Sequence, residues 1–477
     1  MQRLELLAPA RNADIGIEAI NHGADAIYIG GPQFGARAAA GNSLSDIKRL
    51  CKHAHTYGAK VYVTLNTIIY DHELKSVEDL VHQLYKIGVD ALIVQDLALT
   101  RMNLPPIELH ASTQLDITTP EKAQMLEQLG FKQIVLAREL NLQQISAIHT
   151  VCPQLPLEAF VHGALCVSYS GRCYASQHCF QRSANRGECA QFCRLPFEVI
   201  DAEGKMVHSL CHPLSLRDMN RSAHLQQMIE AGVCSFKIEG RLKDIDYVKN
   251  ITSYYRRKFD AILEGSPRRA SSSGKTTFFF EPNPKKTFYR GATDYFLEGR
   301  KRDIWSFDTP KSLGEPIGKV KDVWRNALSI NTKSVIANGD GLCDLNKKGE
   351  FEGFRVNKVE SGVRLHYKFI NPLTNQPDEI VIENTETRDQ PKNRENALRH
   401  LRSQLYELEL EKRRQAAAKV EAGKKKIEWG SQIRSYVFDD RRVKDHRTNY
   451  QTSNVNAVMD GDIDEFIKAY LMEFGGQ

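Results

Sequence analysis

The chain has 477 residues, 41% of them hydrophobic, enough to bury large cores and to form on the order of two or three domains. Its 65 basic and 59 acidic residues leave a formal charge of +6, which permits a polyanionic partner without requiring one. The opening MQRLELLAPARNADIG has no leader pattern, and no stretch approaches the roughly 18 unbroken apolar residues of a membrane span, so the expectation is a soluble cytoplasmic protein with no membrane partner. Thiols in that compartment stay reduced, which makes a disulfide staple the least expected use of the ten cysteines.

Taken in order, the first 240 or so residues repeat one phrase. GADAIYIGG from Gly23, GVDALIVQD from Gly88, GFKQIVLAR from Gly130 and GVCSFKIEG from Gly232 each run from a glycine through a polar step into apolar or β-branched residues. Buried parallel strands read this way, with the glycine ending the preceding helix. LELLAPA, KVYVTLNT, IELHAST and LEAFVHG complete a set of eight, and helical patterns such as SVEDLVHQLYKIG and TPEKAQMLEQLG lie between them. Eight strands alternating with helices predict an α/β fold, a (β/α)8 TIM-like barrel, in preference to an open doubly wound sheet.

Chemistry in such a barrel sits where the strands end. The polar residues there divide into a candidate catalytic set, Arg138, Glu139, His162, Lys237, Glu239 and Arg241, and candidate substrate contacts, Asn66, Gln95, Asp96, His110, Ser112 and Gln114. Loop and helix-capping duties compete for several of them.

Just beyond LEAFVHG, CVSYSGRCYASQHCFQRSANRGECAQFC packs five cysteines into 28 residues. Cys166 and Cys173 are spaced C-x6-C, and Cys189 and Cys193 follow as C-x3-C. Four thiolates suit tetrahedral zinc or an iron–sulfur cluster, and the open first pair tilts toward the cluster. Arg172, Arg182, Arg186 and Arg194 are candidate positive neighbours for the thiolates; Cys179 reads as a bystander.

Residues 1–264 are thus expected to form the barrel domain with its cysteines. Residues 265–275, rich in serine, glycine and arginine, read as a linker, and 276–358 as a small β domain built on alternating segments and Asn-Gly-Asp-Gly turns. From 359 to 477 the expectation is an α+β tail. It includes a long charged helix with a stripe of Leu398, Leu401, Leu405 and Leu408, then a final strand and helix.

Several blocks carry a resemblance. EAFVHGALCVSYSGRCYASQ, NRGECAQFCRLPF, SFKIEGRLKDIDYV and the opening LELLAPARN…GADAIYIGG resemble the collagenase-like U-type peptidase family over residues 1 to about 360. That family includes hydroxylation proteins, so the resemblance implies an RNA-modifying enzyme of oxidoreductase type holding a 4Fe-4S cluster on Cys166, Cys173, Cys189 and Cys193, with zinc as the alternative metal. It also implies prephenate as a co-substrate, whose carboxylates Arg138, Lys237 and Arg241 would suit. TPKSLGEPIGKV, NGDGLC and GEFEGFRVNKVE look most like the branch that makes 5-hydroxycytidine in 23S rRNA; the tRNA wobble uridine and peptide hydrolysis are the alternatives. For hydrolysis there is no H-E-x-x-H or G-x-S-x-G, and a ligating Cys166 beside His162 could not also attack.

Residues 356–474 are similar instead to the C-terminal third of bacterial peptide chain release factor 2, with VNKVE (356–360) common to both resemblances. Where a release factor has its Gly-Gly-Gln loop, this chain has Gly353, Phe354 and Arg355, and the Ser-Pro-Phe codon-reading motif is absent. The resemblance implies no release activity; the ribosome is the partner such a tail would contact, and a catalytically dead ribosome-binding fusion is a further alternative.

Overall fold

The computed structural model describes residues 3–35, 41–323, 328–332, 334–346, 351–357, 363–384, 390–423 and 432–475. Part of the VNKVE phrase (358–360) and the last two residues of the closing Gly-Gly-Gln lie outside them. The chain divides into one unit of residues 1–317 with 341–355 and another of 318–340 with 356–477.

In the first unit, β1 (Arg3–Ala10), β2 (Ala26–Gly30), β3 (Lys60–Leu65), β4 (Ala91–Val94), β5 (Glu108–Ala111), β6 (Gln133–Val135) and β7 (Leu157–Gly163) pair in chain order, all parallel. A hairpin of β8 (Phe197–Ile200) and β9 (Met206–Cys211) and the short β10 (Asp218–Asn220) intervene before β11 (Val233–Ile238). β11 is parallel to both β7 and β1, so the sheet closes as an eight-stranded parallel barrel. The eight apolar runs are these eight strands.

Around them lie α1 (Ala13–Asn21), α2 (Leu44–Thr56), α3 (Leu74–Lys86), α4 (Pro120–Gln128), α5 (Leu142–Val151), α6 (Ala175–Phe180), α7 (Leu225–Glu230) and α8 (Ile245–Leu263). The Thr-Pro start behaves as its chemistry requires: Thr119 accepts the Lys122 N–H and Pro120 fills the first helical position, where an N–H would have no partner. Gly23, Gly88, Gly130 and Gly232 have φ between +92° and +103°, the left-handed conformation that ends a helix and turns the chain into the next strand. Between β4 and β5 a single turn, Leu97–Arg101, replaces a helix. One large core fills the space between strands and helices, and a smaller one, including Leu7, Tyr28, Tyr62 and Ile93, fills the barrel.

The expected linker is tied down. β12 (Arg269–Ala270) pairs with β1, the Ser271 N–H donates to Leu4, Ser272 Oγ to Asp25 at 2.5 Å, and the Ser273 N–H to Tyr57. Serine hydroxyls and amides that read as flexibility in sequence are here the means of attachment. Nor does a β domain begin at 276: β13 (Ala292–Thr293) pairs with β10, and residues up to 317 belong to the barrel unit.

Three hairpins follow: β14 (Gly318–Val323) with β15 (Leu328–Thr332), β16 (Gly341–Leu345) with β17 (Phe351–Arg355), and β18 (Val363–Ile370) with β19 (Pro377–Asn384). Gly353, Phe354 and Arg355 are paired strand residues, opposite Cys343, Leu342 and Gly341. Helix α9 (Gln390–Gly423) buries Ala397 and Leu401 with Ile382, and Leu405 packs at the edge. Leu398 is 36% exposed and Leu408 lies outside the cluster, so the apolar seam runs at a spacing of four and misses two leucines of the expected stripe. A three-stranded sheet of β20 (Arg434–Val437), β21 (Arg442–Asp445) and β22 (Gln451–Thr452) packs with α10 (Val455–Met459) and α11 (Asp464–Phe474) around Val443, Val455, Val458 and Phe466. Among the described residues no helix is long and apolar enough to cross a membrane.

Candidate active site at the barrel mouth

Strand alternation points every second residue into the barrel. In register, Leu65 lies beside Val94 and Val94 beside Ala111, which sets the next residues, Asn66, Gln95 and Ser112, side by side at the strand ends. Asn66 Nδ2 donates to Gln114 Oε1 at 2.7 Å and to Ser112 Oγ at 3.4 Å, so these amides and the hydroxyl form one polar arc on one side of the mouth.

The opposite side is ionic. Arg138 Nη2 donates to Glu239 Oε2 at 2.6 Å, and its guanidinium lies 4.0 Å from the centre of the Phe160 ring. Arg241 Nη1 donates to Thr64 Oγ1 at 2.6 Å. Tyr28 forms the floor: its hydroxyl donates to the Ile238 carbonyl, Lys237 Nζ is 4.5 Å from its ring centre, and the Arg241 guanidinium is 5.8 Å away. Burial, with the negative charge of Glu239, pushes the Tyr28 phenol well up, so it stays protonated.

Other candidates have duties elsewhere. Asp96 accepts from Ala98 and Ile69 N–H groups at 2.9 Å each, which makes it a cap. Both Glu139 oxygens hold Ser170, one its N–H and the other its hydroxyl. His110 is buried within the barrel with its ring edge-on to Tyr62. His162 is also buried, 3.4 Å from the Tyr255 hydroxyl, and burial lowers its pKa to about 4. Enclosed in this way, the imidazole is a weakened base. Lys237 turns into the barrel, where Nζ meets Glu158 Oε1 at 2.6 Å; burial pulls the ammonium down while that carboxylate holds it up. Below them Glu5 accepts from Tyr62 and Ser235, and burial raises its pKa.

The cysteine segment, residues 164–196, leaves the end of β7 beside this mouth. It is fastened at four places. Arg186 forks onto Glu73 at 2.6 and 2.7 Å and donates to the Ile68 carbonyl. Arg172 Nε donates to Asp116 at 2.6 Å. Arg194 reaches Ser215, Leu216 and Leu165. At the fourth, Gly171 has φ +74°, and a Cβ there would lie 2.2 Å from the Gln114 carbonyl oxygen; only glycine lets the segment lie this close to the barrel rim.

Cys166, Cys173, Cys189 and Cys193 are mutual electrostatic neighbours. Burial pushes the Cys166 thiol up, although it keeps an exposed edge; the Ser168 N–H and Arg138 pull it down, and Cys173 and Cys189 push it up again. Cys193 is likewise raised by burial first, lowered by Arg194, and raised by Cys166, Cys189 and Cys173. Cys179 figures in neither group. Ser176 Oγ lies 3.8 Å from Cys189 Sγ. The cations beside the thiols are thus Arg138 and Arg194, whereas Arg172 and Arg186 are engaged by carboxylates.

Four thiolates on one zinc ion would sit roughly 3.8 Å apart. Among the described residues no three cysteine sulfurs lie within 4.8 Å of one another. The one tight group of metal-type donors is His224, Asp294 and Glu298, and there Lys301 already bonds both carboxylates.

The composition of strand ends points to Asn66, Gln114, Arg138, Glu239 and Arg241. It misses Tyr28, Thr64 and Phe160, which complete the site; counting every second residue back from those strand ends would have found them.

Among proteins of known sequence, the model of peptidase family U32 matches residues 11–306 and that of the RF-1 domain matches residues 350–447. The 23S rRNA 5-hydroxycytidine C2501 synthase of Escherichia coli (strain K12) is 55% identical over 368 residues, 77% of this chain and 56% of that protein. An uncharacterized protease of Methanocaldococcus jannaschii is 33% identical over 412 residues, 77% of this chain and 98% of its own length. The tRNA hydroxylation protein P1 of Bacillus subtilis (strain 168) is 36% identical over 267 residues, 54% of this chain and 63% of that protein. The chain therefore spans little more than half of the first of these relatives. With the family match running through the barrel and the cysteine segment, the chain belongs to peptidase family U32, and its C-terminal part carries a match to the RF-1 domain.

Proposed function

We propose that the barrel unit is an RNA-modifying enzyme that hydroxylates a pyrimidine, a cytidine of 23S rRNA, with a 4Fe-4S cluster on Cys166, Cys173, Cys189 and Cys193. The observation that carries this reading is the placement of the four-thiol cage beside a polar barrel mouth, with Arg138 within electrostatic reach of Cys166 and bonded to Glu239. The 55% identity to a 5-hydroxycytidine synthase supports cytidine over the tRNA uridine. A bound cluster would supply one-electron transfer at the edge of the mouth.

The protein's own groups would do the rest. Because the 5-position of a stacked base is out of reach, the nucleotide must be unpaired and turned into the mouth. There the Asn66 and Gln114 amides can meet its polar edge, and the Tyr28–Phe160 side gives an apolar face against which the ring can rest. A prephenate-type co-substrate would bring its carboxylates to Arg138 and Arg241, since Lys237 is held by Glu158. Cytoplasm is the compartment where such RNA resides. Peptide hydrolysis is disfavoured because His162 is buried against Tyr255 and its basicity is weakened by that burial. The C-terminal unit is proposed to contact the ribosome without releasing peptide, since paired strand residues stand where the release loop would be.

Nucleoside mass spectrometry of 23S rRNA and tRNA from a strain lacking this gene tests the reading. Loss of 5-hydroxycytidine from 23S rRNA with tRNA unchanged is the expected result; loss of neither modification rejects it.

A further inference from the structure

Large aromatic side chains stand out from the cysteine segment and from the barrel loop that grips it. Tyr174 is 64% exposed, Tyr169 50%, Phe180 47% and, on the loop after β3, Tyr70 51%. Phe180 rests against Phe192 at 5.8 Å, yet all four rings keep about half or more of their surface open. Exposed aromatic rings interleaved with cations are the chemistry of single-stranded nucleic acid binding, in which bases stack on rings and phosphates meet guanidinium groups. Both parts are present. The Arg186 guanidinium, fixed by Glu73, lies 4.3 Å from the Tyr70 ring centre, and the His72 ring is stacked 5.8 Å from it. Arg300 donates to the Tyr169 hydroxyl at 2.7 Å, and Arg182 is exposed. Of the four arginines in residues 164–196, Arg172 and Arg186 are paired with Asp116 and Glu73 and Arg194 is bonded to Ser215 and Leu165, so Arg182 is the one exposed toward a phosphate backbone.

We infer that the cysteine segment is an RNA platform as well as a cage: Tyr174 and Tyr70 stack the unpaired nucleotides flanking the reacting pyrimidine, and Arg182 and Arg300 contact their phosphates. This rests on the RNA reading above and adds the class of substrate, a single-stranded segment recognised by stacking. A duplex, whose bases are already stacked on each other, has no free faces for these rings.

The test is the affinity of the cluster-loaded full chain for a fluorescent single-stranded RNA octamer with a central cytidine, against the same octamer in a duplex. Tyr174→Ala and Tyr70→Ala should each weaken single-strand binding by about 5- to 100-fold, the range of one lost base stack. Tyr174→Phe and Tyr70→Phe should bind as wild type, because the ring rather than the hydroxyl is used. Arg182→Gln with Arg300→Gln should reduce the salt dependence of binding by about one to two ion equivalents. Unchanged iron content and absorption in each variant exclude an indirect effect through Cys173. Alanine variants that bind as tightly as wild type, or equal affinity for the duplex, overturn the platform. If the deletion strain nevertheless loses its hydroxycytidine, the platform fails alone; if single-strand binding depends on the rings while both modifications persist in that strain, the enzymatic reading fails and the platform stands.

Discussion

Arg138 joins the two halves of the site. Its guanidinium stacks on Phe160, bonds Glu239 and acts on Cys166, while its N–H is bound by Ser170 and its carbonyl by the buried Arg221. The segment it meets is also clamped by Glu73 and Arg186, and that clamp is acid-sensitive with a definite sign. The forked guanidinium holds the Glu73 carboxyl down to about 2, from an ordinary value of 4.5. Its stabilisation is therefore complete above pH 4.5 and disappears as pH falls toward 2. Glu73→Gln should cost about 1–2 kcal/mol near pH 6, and the gap between variant and wild-type melting temperatures should shrink to a small fraction by pH 2. Thermal unfolding across pH 2–7 measures this; a gap as wide at pH 2 as at pH 6 would show that the clamp acts through something other than the charge of Glu73.

The eight barrel strands were readable because each is an apolar run, four of them announced by a helix-ending glycine, and both signals are local. Which polar residues face the mouth was readable only in part. Lys237 and Arg241 look alike in FKIEGR, yet one turns down to Glu158 and the other reaches Thr64, because the partner lies on a distant strand. Glu5 and Glu158 each sit in an apolar run where alternation, not composition, places them inside the barrel. At the level of elements, α9 shows the same limit. A 3, 4, 3 leucine spacing marks an amphipathic helix, but the partner strand β19 selects the 397–401–405 line through Ile380 and Ile382. Leu401→Ala should therefore cost about 2–5 kcal/mol in the unfolding of the C-terminal unit, and Leu398→Ala less than about 0.5 kcal/mol. Helical circular dichroism during denaturation distinguishes them, and equal effects would contradict the register of α9 on β19.

At the scale of the whole molecule, a closed barrel provides rigid walls and an arginine-fastened segment brings four thiols to its rim. The fastening explains why most of that segment's arginines are struts rather than counter-ions: a loop of more than 30 residues has to be held in one place if its cysteines are to meet. Its position beside the mouth, rather than the count of its cysteines, makes an enzyme the reading that best joins the two. The C-terminal unit has its own cores and strand pairs.

The measurement that bears most directly on this account is 5-hydroxycytidine in the 23S rRNA of the deletion strain carrying cysteine variants of this gene. Wild type and Cys179→Ala should restore the nucleoside, whereas Cys166→Ala, Cys173→Ala, Cys189→Ala and Cys193→Ala should each leave it absent. Restoration by any of those four, or its absence with Cys179→Ala alone, would contradict the cage at the centre of the proposed site.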